Sequence, residues 1–381
     1  MTDALPKPAA ARHFARQVID WAADHGRHDL PWQHDRTRYR VWVSEIMLQQ
    51  TQVATVIPYY QRFMQSFPDV ATLADASIDD VLDHWSGLGY YARGRNLHRA
   101  AREVVDNHAG DMPTTLDGLM ALPGIGRSTA AAILSLADDQ PQAILDGNVK
   151  RVLARHYGIT GYPGKTAVLN NLWAISDALT PKKQTGRYNQ AMMDMGATLC
   201  TRTRPQCSNC PIESTCIANN SGTPEKYPGK KPRKVLPVKT TVMLVLRKGD
   251  QGQGVLLERR PASGIWGGLW SLPEVTATVM ENPEQLNDYL ATQGLGVCKD
   301  NNSPSEPHST LAAFRHTFSH YHLDISVVEV PVQQISAAIM DRDRTVWYNG
   351  GSWPGGIAAP MKKIERLLVT PQQREETGEL L

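Results

Sequence analysis

The densest chemistry in the chain lies between positions 200 and 216. Cys200, Cys207, Cys210 and Cys216 are separated by six, two and five residues, and the only other cysteine is Cys298. An odd cysteine count without a secretion signal points to metal binding rather than disulfides. Structural zinc sites pair their ligands as tight knuckles, and here only the middle pair has that spacing. Four thiolates in so short a stretch also suit an iron–sulfur cubane, so the spacing favours a cluster and leaves zinc open. Arg202 and Arg204 fall in the first inter-ligand loop, where a metal would stiffen a basic loop for contact with a polyanion.

Three other stretches carry candidate groups. Leu122–Ala130 is a Gly-x-Gly turn, with Gly124 and Gly126, running into an Ala/Ile/Leu helix. Such a turn leaves backbone N–H groups at a helix start, where a phosphate can sit. In Leu145–Val152, Asp146 precedes Val149, Val152, Leu153 and Tyr157 at helical spacing, which makes it at least an N-cap. Trp42, Val43, Ile46, Met47, Gln50, Val53, Ala54 and Ile57 also fall at helical spacing, so Ser44–Gln52 reads as one helix with Glu45 and Gln49 on its polar side. By itself, such a Glu is an exposed or capping residue. Finally, Ser86–Arg95 mixes glycines, Tyr90, Tyr91, Arg93 and Arg95. That mixture suits either tyrosines buried beside a turn or an approach to a phosphate backbone with a ring entering a base stack.

These stretches must be held by more than one core. The chain has 381 residues, 41% hydrophobic and 20% charged, enough for two domains. No run approaches a membrane span and the start has no apolar signal core, so a cytoplasmic protein is expected. The net charge of +2 is unevenly spread. Lys plus Arg against Asp plus Glu is 13 against 18 over residues 1–149, 15 against 4 over 150–239, and 12 against 16 over 240–381. A basic central block is what a polyanion-facing surface looks like, although basic linkers are common too. Residues 1–220 read as mostly helical and 221–239 as a basic Pro/Gly linker. Residues 240–381 read as an α+β unit, with strands at 241–246, 255–257 and within 311–332 and helices at 283–290 and 361–368.

In this order, the Gly-x-Gly hairpin, the later Asp and C-x6-C-x2-C-x5-C resemble the helix-hairpin-helix DNA glycosylases that carry a [4Fe-4S] cluster. Ser44–Val53 and Leu145–Val152 look like the MutY-type adenine DNA glycosylase family. The resemblance runs from about Trp21 to the end and is most specific through Cys216. It implies a mostly α helix-hairpin-helix glycosylase region with an iron–sulfur loop, one [4Fe-4S] cluster per chain on Cys200, Cys207, Cys210 and Cys216, and a C-terminal Nudix-like domain. The implied substrate is double-stranded DNA holding adenine opposite 8-oxoguanine or guanine. In the related endonuclease III type, a lysine on the helix after the hairpin attacks the sugar. Ser128 stands in that place and cannot form an imine, which implies a monofunctional enzyme leaving an abasic site; nearby Lys150 allows adventitious trapping. Adenine leaves poorly unless protonated, so Glu45 is implied as the acid and Asp146 as the anion beneath an oxocarbenium ion. Glu45 would then need its pKa raised by apolar neighbours such as Trp42 and Ile46. By the same resemblance Arg27, Trp32 and Gln190 surround the extruded adenine, Tyr90 wedges beside the partner base and Gln50 fills the stack. Ser128 and Asn148 join the substrate-binding set, and Gly124 and Gly126 hold the DNA backbone.

Arg260–Glu274 resembles the approach to a Nudix box, but the acidic Mg²⁺-binding helix is replaced by Glu281-Asn282-Pro283-Glu284-Gln285. The resemblance therefore implies a fold kept for reading 8-oxoguanine, with Phe318, Ser319 and His320 as the reading loop. His316, His320 and His322 share a strand face, yet no Cys or carboxylate joins them at ligand spacing. The alternatives are a bifunctional glycosylase/lyase of the endonuclease III type, a non-catalytic DNA-binding protein, and a Nudix hydrolase with a DNA-binding arm. The expected setting is a bacterial, nucleoid-associated monomer.

Overall fold

The structure is a computed structural model and describes residues 5–232, 235–248, 254–261, 264–298, 308–334 and 344–368. Arg233 and Lys234 of the expected linker, and Ala262 and Ser263 of the Nudix-like motif, lie outside the described residues. Contacts divide the chain into two units, Met1–Ala76 with Arg93–Arg233 and Ser77–Ala92 with Lys234–Leu381.

The first unit is helical. It holds α1 (Pro8–His25), α2 (Arg38–Leu48), α3 (Val53–Ser66), α4 (Val70–Asp75), α6 (Ala92–His108), α7 (Leu116–Ala121), α8 (Arg127–Asp138), α9 (Gly147–His156), α10 (Thr166–Leu179), α11 (Thr185–Asp194) and α12 (Ile217–Asn220). One of its cores joins Phe14 and Val18 of α1 to Ile144, Val152, Leu153, Leu172, Tyr188 and Met192. The apolar stripe read on α9 is buried, with Val149, Val152 and Leu153 at most 2% exposed. The helix expected through Ser44–Gln52 is instead two: α2 stops at Leu48, Gln50 turns into the left-handed region at φ 60°, and α3 begins at Val53. Periodicity alone misses such a break because the apolar phase resumes after it.

Between α7 and α8 the expected hairpin is present. Gly124 has φ 81°, and a Cβ there would lie 2.9 Å from the Asn96 Cβ of α6, so both conformation and space exclude a side chain. Gly126 is the N-cap of α8 and makes no side-chain cap bond.

The second unit is built on an eight-stranded mixed sheet of β1 (Val238–Lys248), β2 (Val255–Arg259), β3 (Trp270–Ser271), β4 (Glu274–Val275), β5 (Leu295–Val297), β6 (Ser309–Thr317), β7 (His322–Gln334) and β8 (Thr345–Tyr348). The central path is β3-β2-β1-β7-β5, with β4 on β1, β6 on β7 and β8 on β2. Strands β1 and β7 run parallel, Val238 opposite His322 through Lys248 opposite Val332. Val242, Leu244, Leu246, Val328, Val330 and Val332 present one face to Leu286 and Leu290 of α14 (Pro283–Thr292), which follows the short α13 (Ala277–Glu281). From the opposite face Arg247 donates to the carbonyls of Leu367 and Leu368 at the end of α15 (Met361–Leu368), a favourable site for a cation. The unit also takes in α5 (Ile78–His84), whose Asp79 pairs with Arg259 of β2. By contacts alone, residues 77–92 are counted with this unit.

Gly124→Ala is expected to destabilise the helical unit by about 1–3 kcal/mol, from left-handed strain and the Asn96 clash. Gly126→Ala has φ −94° and open space around it, and should cost less than about 1 kcal/mol beyond the cap change. Urea midpoints of the two variants test the ordering.

Candidate active site

Glu45 sits on α2 between buried neighbours, Trp42, Ile46 and Met47, all at most 3% exposed. Thr37 caps the helix by accepting from the Arg40 N–H at 3.2 Å, and α2 packs on α8. Asp146 is the N-cap of α9, its Oδ1 accepting from the Val149 N–H at 2.8 Å. Just before it, the Leu145 N–H donates to Ser128 Oγ on α8 at 2.9 Å. The serine thus ties the Asp146 segment to the helix that follows the hairpin.

The two carboxyl groups are close enough for their charges to interact. Burial, and then the charge of Asp146, push Glu45 up to about 8. Burial raises Asp146 as well, and the N–H groups of Val149 and Asn148 and the charges of Arg151 and Lys150 offset only part of that rise. Each residue keeps some solvent contact as a whole, while its carboxyl lies deep enough for desolvation to dominate. The pair is therefore unequal. Asp146 has donors and cations to hold its charge, and Glu45 has a reason to keep its proton.

Arg27 and Gln190 converge on a residue that sequence reasoning did not single out. Asp194, 1% exposed, accepts from Arg27 Nε at 2.7 Å, from the Arg27 backbone N–H at 3.1 Å and from Gln190 Nε2 at 3.0 Å. Just before Arg27, a Cβ at Gly26 would lie 2.5 Å from the Ala22 carbonyl oxygen and 3.4 Å from Asp194 Oδ2, so a glycine keeps this turn clear. The one signal in sequence was that Asp194 lies a helical turn beyond Gln190, on the same face. Trp32, in a short 3₁₀ turn, is 7% exposed and edge-packed on Tyr60 at 5.5 Å.

Gln50 and Tyr90 are both exposed residues with positive φ, 60° and 50°. Each stands in its own unit. The Gln50 turn is held by Arg93, whose Nη1 donates to the carbonyls of Ile46, Met47 and Gln49 at 2.9, 2.8 and 2.5 Å, and whose Nη2 donates to Thr51 Oγ1 at 3.2 Å. Sequence placed Arg93 among cations approaching a phosphate; the structure uses it to close the C-terminal end of α2.

The four cysteines line one cavity with Val152, His156, Met195, Leu199 and Ile212. All four are free thiols, and burial with the charges of the other three pushes Cys210 up to about 12. Among the described residues no three His, Cys, Asp or Glu side chains converge on a single-ion site. The loop is fastened to α9. Arg151 donates to the Cys200 carbonyl at 2.8 Å, to the Gly196 carbonyl at 2.5 Å and to Asn148 Oδ1 at 2.8 Å. Asn148 in turn packs so tightly on Gly196 that a Cβ there would lie 2.5 Å from the Asn148 Cβ. Arg155, 2% exposed, donates to the carbonyls of Cys200, Thr201, Arg202, Pro224 and Tyr227 and to Cys200 Sγ at 3.2 Å. Arg202 and Arg204 themselves are exposed.

In the second unit Phe318 is half-buried, and Ser319 and His320 are exposed at the tip between β6 and β7. His322 pairs with Thr317 Oγ1 at 2.9 Å.

Comparison with known proteins finds one family match in the helical part of the chain and another in the sheet-containing part. Residues 43–177 match the family described as HhH-GPD superfamily base excision DNA repair protein, and residues 241–366 match the NUDIX domain. The adenine DNA glycosylase of Buchnera aphidicola subsp. Acyrthosiphon pisum is 37% identical over 352 residues, covering 92% of this chain and 96% of that one. The adenine DNA glycosylase of Homo sapiens is 38% identical over 406 residues, covering 93% of this chain and 73% of that one. A solved thermostable thymine-DNA glycosylase is similar with a TM-score of 0.51 and 25% identity, over 55% of this chain and 97% of its own. The chain belongs to the adenine DNA glycosylase family, among the helix-hairpin-helix base-excision DNA repair proteins.

Proposed function

We propose that the chain hydrolyses the N-glycosidic bond of adenine mispaired with 8-oxoguanine or guanine in double-stranded DNA and leaves an abasic site. The observation that carries the reading is the unequal treatment of Glu45 and Asp146. Glu45 gives its proton to the adenine ring, so the base leaves neutral as the C–N bond breaks. The sugar becomes an oxocarbenium ion, and Asp146, held by the N–H groups of α9, stabilises that cation. Water then attacks the sugar, and the Glu45 carboxylate takes its proton, restoring the acid. Ser128 offers no amine to the sugar, so no imine forms and the strand stays intact.

Arg27 and Gln190, braced by Asp194, and Trp32 surround the extruded adenine, with Asn148 at the start of α9. Gly124 and Gly126 receive a DNA phosphate, Gln50 fills the vacated stack, and Tyr90 wedges beside the partner base, whose 8-oxo group is read by Phe318, Ser319 and His320. Cys200, Cys207, Cys210 and Cys216 would hold one [4Fe-4S] cluster, and the supporting fit is four free thiols around one cavity. When bound, the cluster supplies thiolate–iron bonds that stiffen the basic loop of Arg202 and Arg204. The enzyme works as a monomer on nucleoid DNA in a bacterial cytoplasm.

Single-turnover assays on duplexes with adenine opposite 8-oxoguanine, with thymine glycol, or with normal pairs should give alkali-dependent breaks only at the adenine. Alkali-independent breaks at thymine glycol would overturn the reading. Glu45→Gln and Asp146→Asn should each lose excision by at least about 100-fold while keeping duplex affinity; near-parental excision in either removes that residue from the mechanism. Iron and sulfide analysis should find roughly equal amounts, and one zinc per chain would reject the cluster.

With Glu45 held near 8, the excision rate should fall as pH rises through about 8 and the acid is lost. The stability sign follows from the same shift. Between the ordinary carboxylate range and about 8 the folded chain binds more protons than the unfolded one, so Glu45 costs stability as pH rises through that window. Glu45→Gln should therefore gain on the parent by about 1 kcal/mol or more at about pH 8, with a smaller gain at about pH 5, read from urea midpoints.

A further inference from the structure

The tip between β6 and β7 lacks the backbone that usually shapes a tight hairpin. Thr317 lies opposite His322 and the Phe318 N–H donates to the Tyr321 carbonyl at 2.9 Å, which leaves Ser319 and His320 as a two-residue turn. Two-residue turns normally place their first central residue at positive φ, because that matches the strand twist. Neither Ser319 nor His320 has positive φ. The local chain therefore does not set the tip on its own, and its position depends on what it rests against.

It rests on aromatic rings. Phe318 lies 4.6 Å from His316, 4.9 Å from Tyr321 and 5.2 Å from Trp266, between ring centroids, and Trp266 also meets His316 edge-on at 5.3 Å. Trp266 is the anchor of the set. It is 7% exposed and has φ 53°, a conformation that a bulky residue keeps only where its surroundings hold it. Arg260 provides that hold. Its guanidinium lies over the Trp266 ring at 5.5 Å, its Nε donates to the Ile265 carbonyl at 3.0 Å, and it pairs with Glu274.

We infer that Trp266 is a positioning residue for discrimination of the partner base, acting through Phe318 and His316 to fix the height and tilt of the Ser319-His320 tip. The inference rests on the reading of that tip as the 8-oxoguanine contact. 8-Oxoguanine differs from guanine by a carbonyl at C8 and a proton at N7, so telling them apart depends on hydrogen-bonding groups held at a set distance. An aliphatic side chain at position 266 would fill part of the buried space but remove the ring contacts to His316 and Phe318.

The test is single-turnover adenine excision by the full chain opposite 8-oxoguanine and opposite guanine, at matched subsaturating enzyme, for Trp266→Leu, Trp266→Phe and Phe318→Ala. Trp266→Leu should lower the ratio of the two rates about tenfold, and Trp266→Phe should recover most of it. Equal slowing on both substrates would mean a purely structural role and overturn the inference. If Phe318→Ala lowers the ratio and Trp266→Leu does not, the Trp266 inference falls and the tip reading stands. If neither lowers it, both fall. Should Trp266→Leu lose its cooperative unfolding transition, His316→Leu, which removes the ring between Trp266 and Phe318, carries the same test, and an unchanged ratio there overturns the inference.

Discussion

Two carboxyl groups placed within range of each other and away from bulk water cannot both ionise without cost. The helical unit resolves that conflict by giving its compensation to one of them. Asp146 receives N–H groups from α9 and the charges of Arg151 and Lys150. Glu45 receives apolar neighbours and a like charge. Two residues with nearly the same intrinsic chemistry thus meet different surroundings: burial raises both, and only Asp146 has donors and cations that offset part of the rise.

Keeping that asymmetry requires the start of α9 to stay in register with α2 and α8, and the contacts around α9 are arranged along its length to do so. Ser128 holds the residue before its N-cap. Arg151, one turn in, reaches the short π-helical turn Met195–Leu199 and the residue after it through the Gly196 and Cys200 carbonyls. Arg155, another turn on, gathers five carbonyls and a sulfur from the cysteine loop and the segment beyond it. That loop has little regular secondary structure, so its carbonyls need partners from elsewhere, and a buried guanidinium supplies several at once. A distortion of the cysteine loop would thus be felt at Asp146 through one helix.

The parts of this arrangement that were legible from sequence are the local ones. A Gly-x-Gly turn, an Asp before an apolar helix stripe and four clustered cysteines each encode their structure within a few residues, and Gly124, Asp146 and the cysteine cavity appear where they were expected. What escaped was long-range. Asp194 matters because Arg27, far away in sequence, turns back to it. Arg93 matters because it closes the end of α2, and that closure is what splits one expected helix at Gln50. An ion pair joins Asp79 to Arg259 across a long stretch of sequence, and the parallel pairing of β1 with β7 joins strands far apart in the chain. Periodicity reports which face is buried and is silent on the partner.

Backbone strain sharpens this distinction. Eight described non-glycine residues have positive φ: Asp35, Gln50, Tyr90, Ala109, Asp139, Gln184, Arg204 and Trp266. Two have a structural task that accounts for the conformation. Asp139 is the C-cap of α8, and Gln184 is the N-cap of α11 and is held by the Asp139 carboxylate. Strain by itself therefore does not mark function, since helix ends use it routinely. Gln50, Tyr90 and Trp266 are not caps of this kind, and the conformation is least favourable for the two aromatic residues. Gln50 and Tyr90 spend it on pointing a polar and an aromatic group into solvent, and Trp266 spends it on holding a buried ring beneath an exposed tip. Such a conformation persists only where the surroundings hold it, and here Arg93 holds the turn at Gln50 while Arg260 holds Trp266.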